Sequence, residues 1–201
     1  MSSSAEHVPA PHVTPHVPAE EQVRRQGIQP IASVDELAFP GVWESDEELH
    51  DFLADLLRLA ARQHAVSLVV LDTDVASASL RDRLPDRLQA ALAGNTMCIT
   101  FVTVGELMKW RVLRNWGPNR TADLARWRQR VGVLEYDEAV AEKRGQLQAR
   151  AQRPGRPRPH NDTWVAACCL VDDLPLATLN TKDFADFAEH EGLTLIGGEE
   201  P

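Results

Sequence analysis

From residue 66 onward the chain alternates between two patterns. Short unbroken apolar runs bounded by turn residues read as buried strands, and longer segments with apolar residues three and four apart read as helices. The first strand is expected at residues 67–71. A helix carrying Leu84, Leu88, Ala91 and Leu92 follows and stops at Gly94-Asn95. A second strand is expected at 97–102, leading into a helix from Val104 to about Asn115. Gly117-Pro118-Asn119 breaks the chain before a helix through 122–127. A short strand at 131–136, a helix at 137–152, a helix from Asn161, and strands at 176–179 and 193–196 complete the pattern. Strands alternating with helices predict an α/β fold with a central parallel sheet covered on both faces.

Residues 1–62 differ. Residues 1–19 are rich in Pro, His and Ser, so disorder is the expectation, with His7, His12 and His16 solvated. Ser45-Asp-Glu-Glu48 is a capping box, and Leu49, Phe52, Leu53, Leu56 and Leu57 then form one helical stripe. Ile28, Ile31, Val34, Leu37, Phe39, Val42 and Trp43 precede it. This piece is too short to enclose a core, so its apolar groups are expected to pack on the domain that follows. The expected organisation is an extension at 1–62, partly disordered and partly helical, and one domain at 66–201, with the junction near residues 62–67.

Charge sharpens this division. The net charge is −9, which looks wrong for a protein that meets nucleic acid. Residues 1–62 hold 11 acidic against 4 basic residues, whereas 103–160 hold 6 acidic against 13 basic. An acidic leader therefore precedes a body with a basic middle, and it could cover the surface that would otherwise meet a polyanion. No run of 18 apolar residues exists, so no membrane span is expected. The N-terminus lacks the basic and apolar regions of a secretory signal. Cys98, Cys168 and Cys169 sit inside apolar runs and read as buried reduced thiols of a cytoplasmic protein, not as a disulfide framework or a zinc site.

The chemistry lies in four acids placed where strands meet helices. Asp72 closes the first apolar run, Glu106 follows the second, Asp162 opens the Asn161 helix, and Asp183 follows the 176–180 run. In a parallel sheet the carboxyl ends of the strands share one edge, so these four can meet in one pocket. Clustered carboxylates repel, and a hard divalent cation relieves the repulsion. Each acid also has an ordinary reading. Asp72 can cap the helix after the first strand, Asp74 likewise, Glu106 and Asp162 can sit in first helical turns, and Asp183 can cap a helix containing Phe184, Phe187 and Ala188.

Leu71-Asp-Thr-Asp-Val75, Thr103-Val-Gly-Glu-Leu107, Asn161-Asp-Thr-Trp-Val-Ala-Ala167 and Thr178-Leu-Asn-Thr-Lys-Asp-Phe184 resemble the four motifs of PIN-domain ribonucleases, in particular the VapC-type toxins of bacterial toxin–antitoxin systems. The resemblance covers about residues 66–198. It implies a three-layer α/β/α domain, a dimer, and an endoribonuclease that hydrolyses RNA phosphodiesters with a metal-activated water. Asp72, Glu106, Asp162 and Asp183 would be its catalytic residues and metal ligands, for Mg²⁺ or for Mn²⁺ in its place. Thr73, Thr178 and Asn180 match supporting positions. The family usually has Asn where Asp74 stands. The leader resembles the short antitoxins encoded ahead of such toxins, whose C-terminal part wraps the toxin, so the partner is an antitoxin-like segment in cis or a separate antitoxin. A disposition in cis would silence the nuclease.

Lys109, Arg111, Arg114, Arg120, Arg126, Arg128 and Arg130 could track an RNA backbone, and Arg153, Arg156 and Arg158 form a second basic group. Trp110 or Trp116 could stack a base, while Trp110 or Trp127 can equally be core or dimer contact, and Trp164 reads as core. Two other functions stay open. One is a catalytically silent toxin–antitoxin fusion serving as a binding module. The other is a phospho-signalling receiver or phosphatase, for which Lys182 is the only lysine near the acids.

Overall fold

The computed structural model describes residues 15–29, 68–152, 155 and 158–197. The capping box at 45–48, the stripe at 49–57, the junction at 62–67, His7, His12, Arg153 and Arg156 all lie outside the described residues.

Helix α1 (Ala19–Arg25) comes first, followed after residue 67 by β1 (Leu68–Leu71), α2 (Thr73–Leu80), α3 (Asp86–Leu92), β2 (Thr96–Thr100), α4 (Phe101–Leu113) and α5 (Pro118–Arg128). Then come β3 (Gly132–Leu134), α6 (Glu138–Gln152), α7 (His160–Val171), β4 (Leu176–Ala177), α8 (Thr181–Glu191) and β5 (Leu195–Ile196). All pairings are parallel, in the order β3-β2-β1-β4-β5. β1 is central and every one of its residues is buried, as a parallel strand covered on both faces requires. Its alternate side chains feed two cores. Val69 and Leu71 join Ile99, Leu88, Leu107 and Trp127 on one face. Leu68 and Val70 join Cys98, Leu147, Cys169, Phe184 and Phe187 on the other. The result is the expected three-layer α/β/α sandwich.

The chain builds β1, β2 and β3 outward on one side, then returns to place β4 on the other side of β1. The order therefore reverses between β1 and β4, and the crevice at their carboxyl ends is where ligands bind in such sheets. The backbone N–H of Asp72 donates to Ala177 (2.9 Å) and that of Thr178 to Ile196 (3.1 Å). Sheet hydrogen bonds thus fix the first residues past both strands.

Several boundaries differ from expectation. β2 ends at Thr100, and Phe101 and Val102 are already helical. The Thr100 hydroxyl accepts from the Thr103 N–H (3.3 Å), so a capping residue overrides the strand preference of the apolar run. Glu106 is consequently past the first turn of α4, and attraction to the helix N-terminus does not explain it. Two helices, α2 and α3, stand where one was expected.

The larger correction concerns the leader. Residues 15–19, within the stretch expected to be disordered, belong to the folded body, and residues 20–29 continue from them and pack on the domain. Ala19 and Val23 of α1 are buried in the second core, and Ile28 packs against it. Gln26 pairs with the backbone of β3 in both directions: its Nε2 donates to the Val133 carbonyl (2.7 Å) and its Oε1 accepts from the Val133 N–H (2.8 Å). Gln22 Oε1 accepts from the Glu135 N–H (2.8 Å). Two glutamines one helical turn apart thereby satisfy an edge strand that would otherwise expose unpaired backbone groups. A Cβ at Gly132 would meet Val23 Cγ2 at 2.8 Å, so only glycine admits the helix this close. His16 is not a solvated tail residue either. It bridges Asp137 (2.5 Å) before α6 and Asp172 (3.0 Å) at the end of α7. Burial pulls its pKa down, but the hydrogen bonds from Asp172 and Asp137 outweigh that and raise it.

The three cysteines are free and buried, as expected. Burial raises the thiol pKa of each, that of Cys168 to about 12, which keeps them protonated and inert. Among the described residues no helix is long and apolar enough to cross a membrane.

If α1 sheathes β3, Val23→Asp should release it by placing a charge in the core. Hydrogen exchange should then show the Val133 and Glu135 amides losing at least about tenfold in protection while the β1 amides hold theirs. Unchanged exchange at Val133 would show that α1 does not cover this edge.

Candidate active site

Four elements deliver carboxylates to the β1/β4 crevice. Asp72 is the N-cap of α2, Asp74 lies in that helix's first turn, Glu106 stands in α4, Asp162 in the first turn of α7, and Asp183 in the first turn of α8. The four predicted acids and Asp74 lie within mutual electrostatic reach. Asp162 feels Asp183, Glu106 and Asp74, and Asp72 feels Asp74 and Asp162. Asp162 is therefore the hub of the group.

Neutral donors set the orientation of most of these side chains. Asp72 Oδ1 accepts from the Thr73 N–H (2.7 Å) and its Oδ2 from the Thr178 hydroxyl (3.2 Å). Glu106 accepts from the Thr73 hydroxyl (2.5 Å) on one oxygen and from Asn161 Nδ2 (2.7 Å) on the other. Asn180 Nδ2 donates to Asp183 (2.5 Å), and the Asn180 N–H donates to the Thr178 hydroxyl (3.0 Å). Thr73, Thr178 and Asn180, chosen from the sequence as supporting residues, all make contacts of this kind. Thr73 and Thr178 are buried, which locks their hydroxyls in place.

Some local readings change. Asn161 does not cap α7, whose N-cap is Pro159; it reaches across to Glu106. Asp183 does not cap α8 either, since Asn180 holds that position. Asp72 caps α2 and faces the crevice at once, so its two readings coexist. Asp74 does not hold the cap position, which Asp72 occupies, but it bonds two backbone amides. Its Oδ1 accepts from the Val75 N–H (2.5 Å) and its Oδ2 from the Leu179 N–H (3.2 Å), tying α2 to the loop after β4. That bridge joins residues 105 apart in sequence and left no local signal.

Electrostatically the site is frustrated. Burial first, and then Asp74 and Asp162, raise the Asp72 pKa to about 7, against the Thr73 and Thr178 hydrogen bonds that lower it. Burial likewise raises Asp74, and burial with Asp183, Glu106 and Asp74 raises Asp162. Among the described residues no Lys or Arg pairs with any of the five acids. Nor do three of them converge as tightly as a coordination sphere demands, because hydroxyls and amides hold most of them individually. Even so, the donor set fits a hard divalent cation. It is all oxygen, it lacks a compensating positive charge among the described residues, and burial, followed by mutual repulsion, raises the proton affinity of Asp72 and Asp162.

The basic residues separate into different roles. Lys109, Arg111 and Arg114 are exposed on α4, with the Arg114 guanidinium 5.0 Å from the Trp110 ring. Trp116 is buried under Arg120, which leaves its ring face occupied. Arg158 is buried, ion-paired with Asp186 and Glu191 and donating to the Leu147 carbonyl (3.0 Å). Its guanidinium is committed to joining α6, α8 and the start of α7, so it is a structural group and not part of an open basic patch. Beside the acids, a cleft of about 530 Å³ is lined by Arg87, Leu179, Asn180 and Lys182.

The raised Asp72 pKa has a stability consequence. Between pH 4 and 7 the metal-free folded protein holds a proton on Asp72 that the unfolded chain has lost, so stability falls as pH rises through this window. Asp72→Asn should remove that dependence and stabilise the metal-free protein at pH 7.5 by roughly 1–3 kcal/mol. Thermal unfolding in chelator from pH 4 to 8 reads this; a destabilised variant would contradict it.

Comparison with known proteins agrees with this geometry. The PIN domain family pattern matches residues 69–190, from β1 into α8. The tRNA(fMet)-specific endonuclease VapC of Shigella flexneri is 29% identical over 116 residues, covering 57% of this chain and 88% of that protein. Ribonuclease VapC4 of Mycobacterium tuberculosis is 31% identical over 114 residues, covering 55% and 83%. Among solved structures, VapBC2 from Rickettsia felis bound to a promoter DNA fragment shares the fold. Its TM-score is 0.56 at 18% identity, over 66% of this chain and 99% of the matched one. The chain belongs to the PIN-domain family, as a VapC-type member.

Proposed function

We propose that this chain is a metal-dependent endoribonuclease toxin of a toxin–antitoxin pair, held in check by its own N-terminal leader. One observation carries the reading: four elements bring five carboxylates, with no cationic partner among the described residues, to the β1/β4 crevice of a PIN domain. The ribonuclease names of its relatives support the same chemistry.

Asp72, Glu106, Asp162 and Asp183 would hold Mg²⁺, or Mn²⁺, with Asp74 close enough to add charge. A bound divalent ion would polarise the scissile phosphate and lower the pKa of the attacking water. The remaining work belongs to the protein. Thr73 and Asn161 fix both oxygens of Glu106, and Thr178 fixes Asp72, so these ligands are preorganised by buried or cross-element contacts. Asn180 holds the more exposed Asp183. No side-chain nucleophile is required, and the buried thiols cannot supply one. Exposed Lys109, Arg111 and Arg114 would meet the RNA backbone. Val112 and Leu113, 71% and 74% exposed at the end of α4, suit a homodimer contact. The protein would act in the cytoplasm.

The silencing segment is residues 30–65, not the whole leader, because α1 is built into the body. Truncation to 66–201 would strip β3 of its cover and confuse activation with unfolding. Engineered protease sites near residues 31 and 65 would free the segment and leave α1 docked. The expected outcome is Mg²⁺-dependent cleavage of cellular RNA that rises at least about tenfold after cutting and falls at least about a hundredfold with Asp72→Asn or Glu106→Gln. Full activity before cutting would reject inhibition in cis. Absence of cleavage from the folded, cut protein would favour the silent binding module.

A further inference from the structure

An aromatic cluster shares α4 and α7 with the acids and lies at the margin of the second core. Phe101 opens α4, Tyr136 follows β3, and Trp164 lies in α7. Their ring centroids form a triangle with 5.7 Å sides and interplanar angles of 78°, 74° and 68°. Tyr136 nevertheless remains 57% exposed. A single exposed tyrosine is ordinary. A rigid one, braced edge-to-face by two partly buried rings, is a prepared surface.

Its surroundings point to a ligand. The Arg144 guanidinium lies 5.1 Å from the Trp164 ring centroid, and its Nη2 contacts His160 Nδ1 at 2.7 Å. Among the described residues no carboxylate pairs with Arg144, in a chain with 30 acidic residues. A cation with no acid partner among the described residues, over a ring braced against the exposed Tyr136, offers a phosphate contact next to a stacking surface. The cluster is also adjoined to the acids. His160 and Trp164 are one turn apart on α7, and Asn161 between them donates to Glu106. The five carboxylates themselves repel a phosphodiester chain, so neutral stacking surface and cations around the pocket add to whatever hold a bound metal provides. Tyr136 and Arg144 supply one of each.

We propose that Tyr136, backed by Phe101 and Trp164, is a stacking subsite for an unpaired nucleobase of single-stranded RNA next to the scissile phosphodiester, with Arg144 taking an adjacent phosphate. This rests on the ribonuclease reading above. A base-paired helix, whose bases are already stacked, offers this ring no free face.

The test is equilibrium binding of a labelled single-stranded oligoribonucleotide, read by fluorescence anisotropy, to the full chain carrying Asp72→Asn, both intact and cut near residues 31 and 65. Tyr136→Ala should weaken binding about tenfold to a hundredfold, and Tyr136→Phe should leave it unchanged. An abasic site at one position in the oligonucleotide should reproduce the loss and add nothing to Tyr136→Ala. Equal affinity of the Tyr136→Ala and parent proteins, in a chain that cleaves RNA when Asp72 is restored, overturns the subsite and leaves the ribonuclease reading standing. If neither intact nor cut protein binds or cleaves RNA, the ribonuclease reading falls and the subsite falls with it. Preference for a duplex oligonucleotide over the single strand also overturns the proposal.

Discussion

Mutual repulsion among carboxylates at one sheet edge is the constraint around which this molecule is organised. Asp72, Asp74, Glu106, Asp162 and Asp183 would separate if their backbones were free to move. They are not, because each acid stands on or beside an element anchored in a core. β1 is wholly buried, Thr100 at the N-cap of α4 and Thr103 and Leu107 within it are fully buried, and the body of α7 is packed from Val165 to Cys169. Apolar burial in the two cores holds like charges together, with each large buried side chain contributing about 1.5–3 kcal/mol. Burial first, and then this repulsion, raises the proton affinity of Asp72, Asp74 and Asp162. A site of this kind has two ways to relax, by taking up protons or by taking up a cation.

The same edge explains why neutral residues matter so much. Lysine or arginine partners would neutralise the acids and close the site. Threonine hydroxyls and asparagine amides orient them without removing charge. Arg158 shows the other choice. It neutralises Asp186 and the buried Glu191 where structure alone is needed, away from the crevice. Helix α1 solves a further problem of an open parallel sheet, its exposed β3 edge, with two glutamine side chains in place of another strand.

Much of this was legible in the residues. Each of the four acids follows an apolar run or opens a helix-like one, and in a parallel sheet that position alone predicts convergence. The layer order and most strands follow from the alternation of apolar runs and helical stripes. What escaped was set by distant partners or by single capping residues. Thr100 begins α4 early, so Val102, a good strand former, is helical. Arg158 looks like a loop cation until α8 brings Asp186 and Glu191 to it. His16 sits in a proline-rich stretch that resembles a tail, and its two aspartates are more than 120 residues away. Tyr136 carries no motif; its significance comes from Phe101 and Trp164 meeting it in space.

The central claim is that the carboxylate cluster is held in a repulsive state that a divalent cation relieves. The most direct measurement is a carboxyl-carbon NMR titration of the aspartates from pH 3 to 9, with and without Mg²⁺. The account requires the Asp72 carboxyl to titrate near 7 without metal and to shift well below that with Mg²⁺, with Asp162 moving in the same direction. Ordinary aspartate titration at Asp72, unaffected by Mg²⁺, would contradict it.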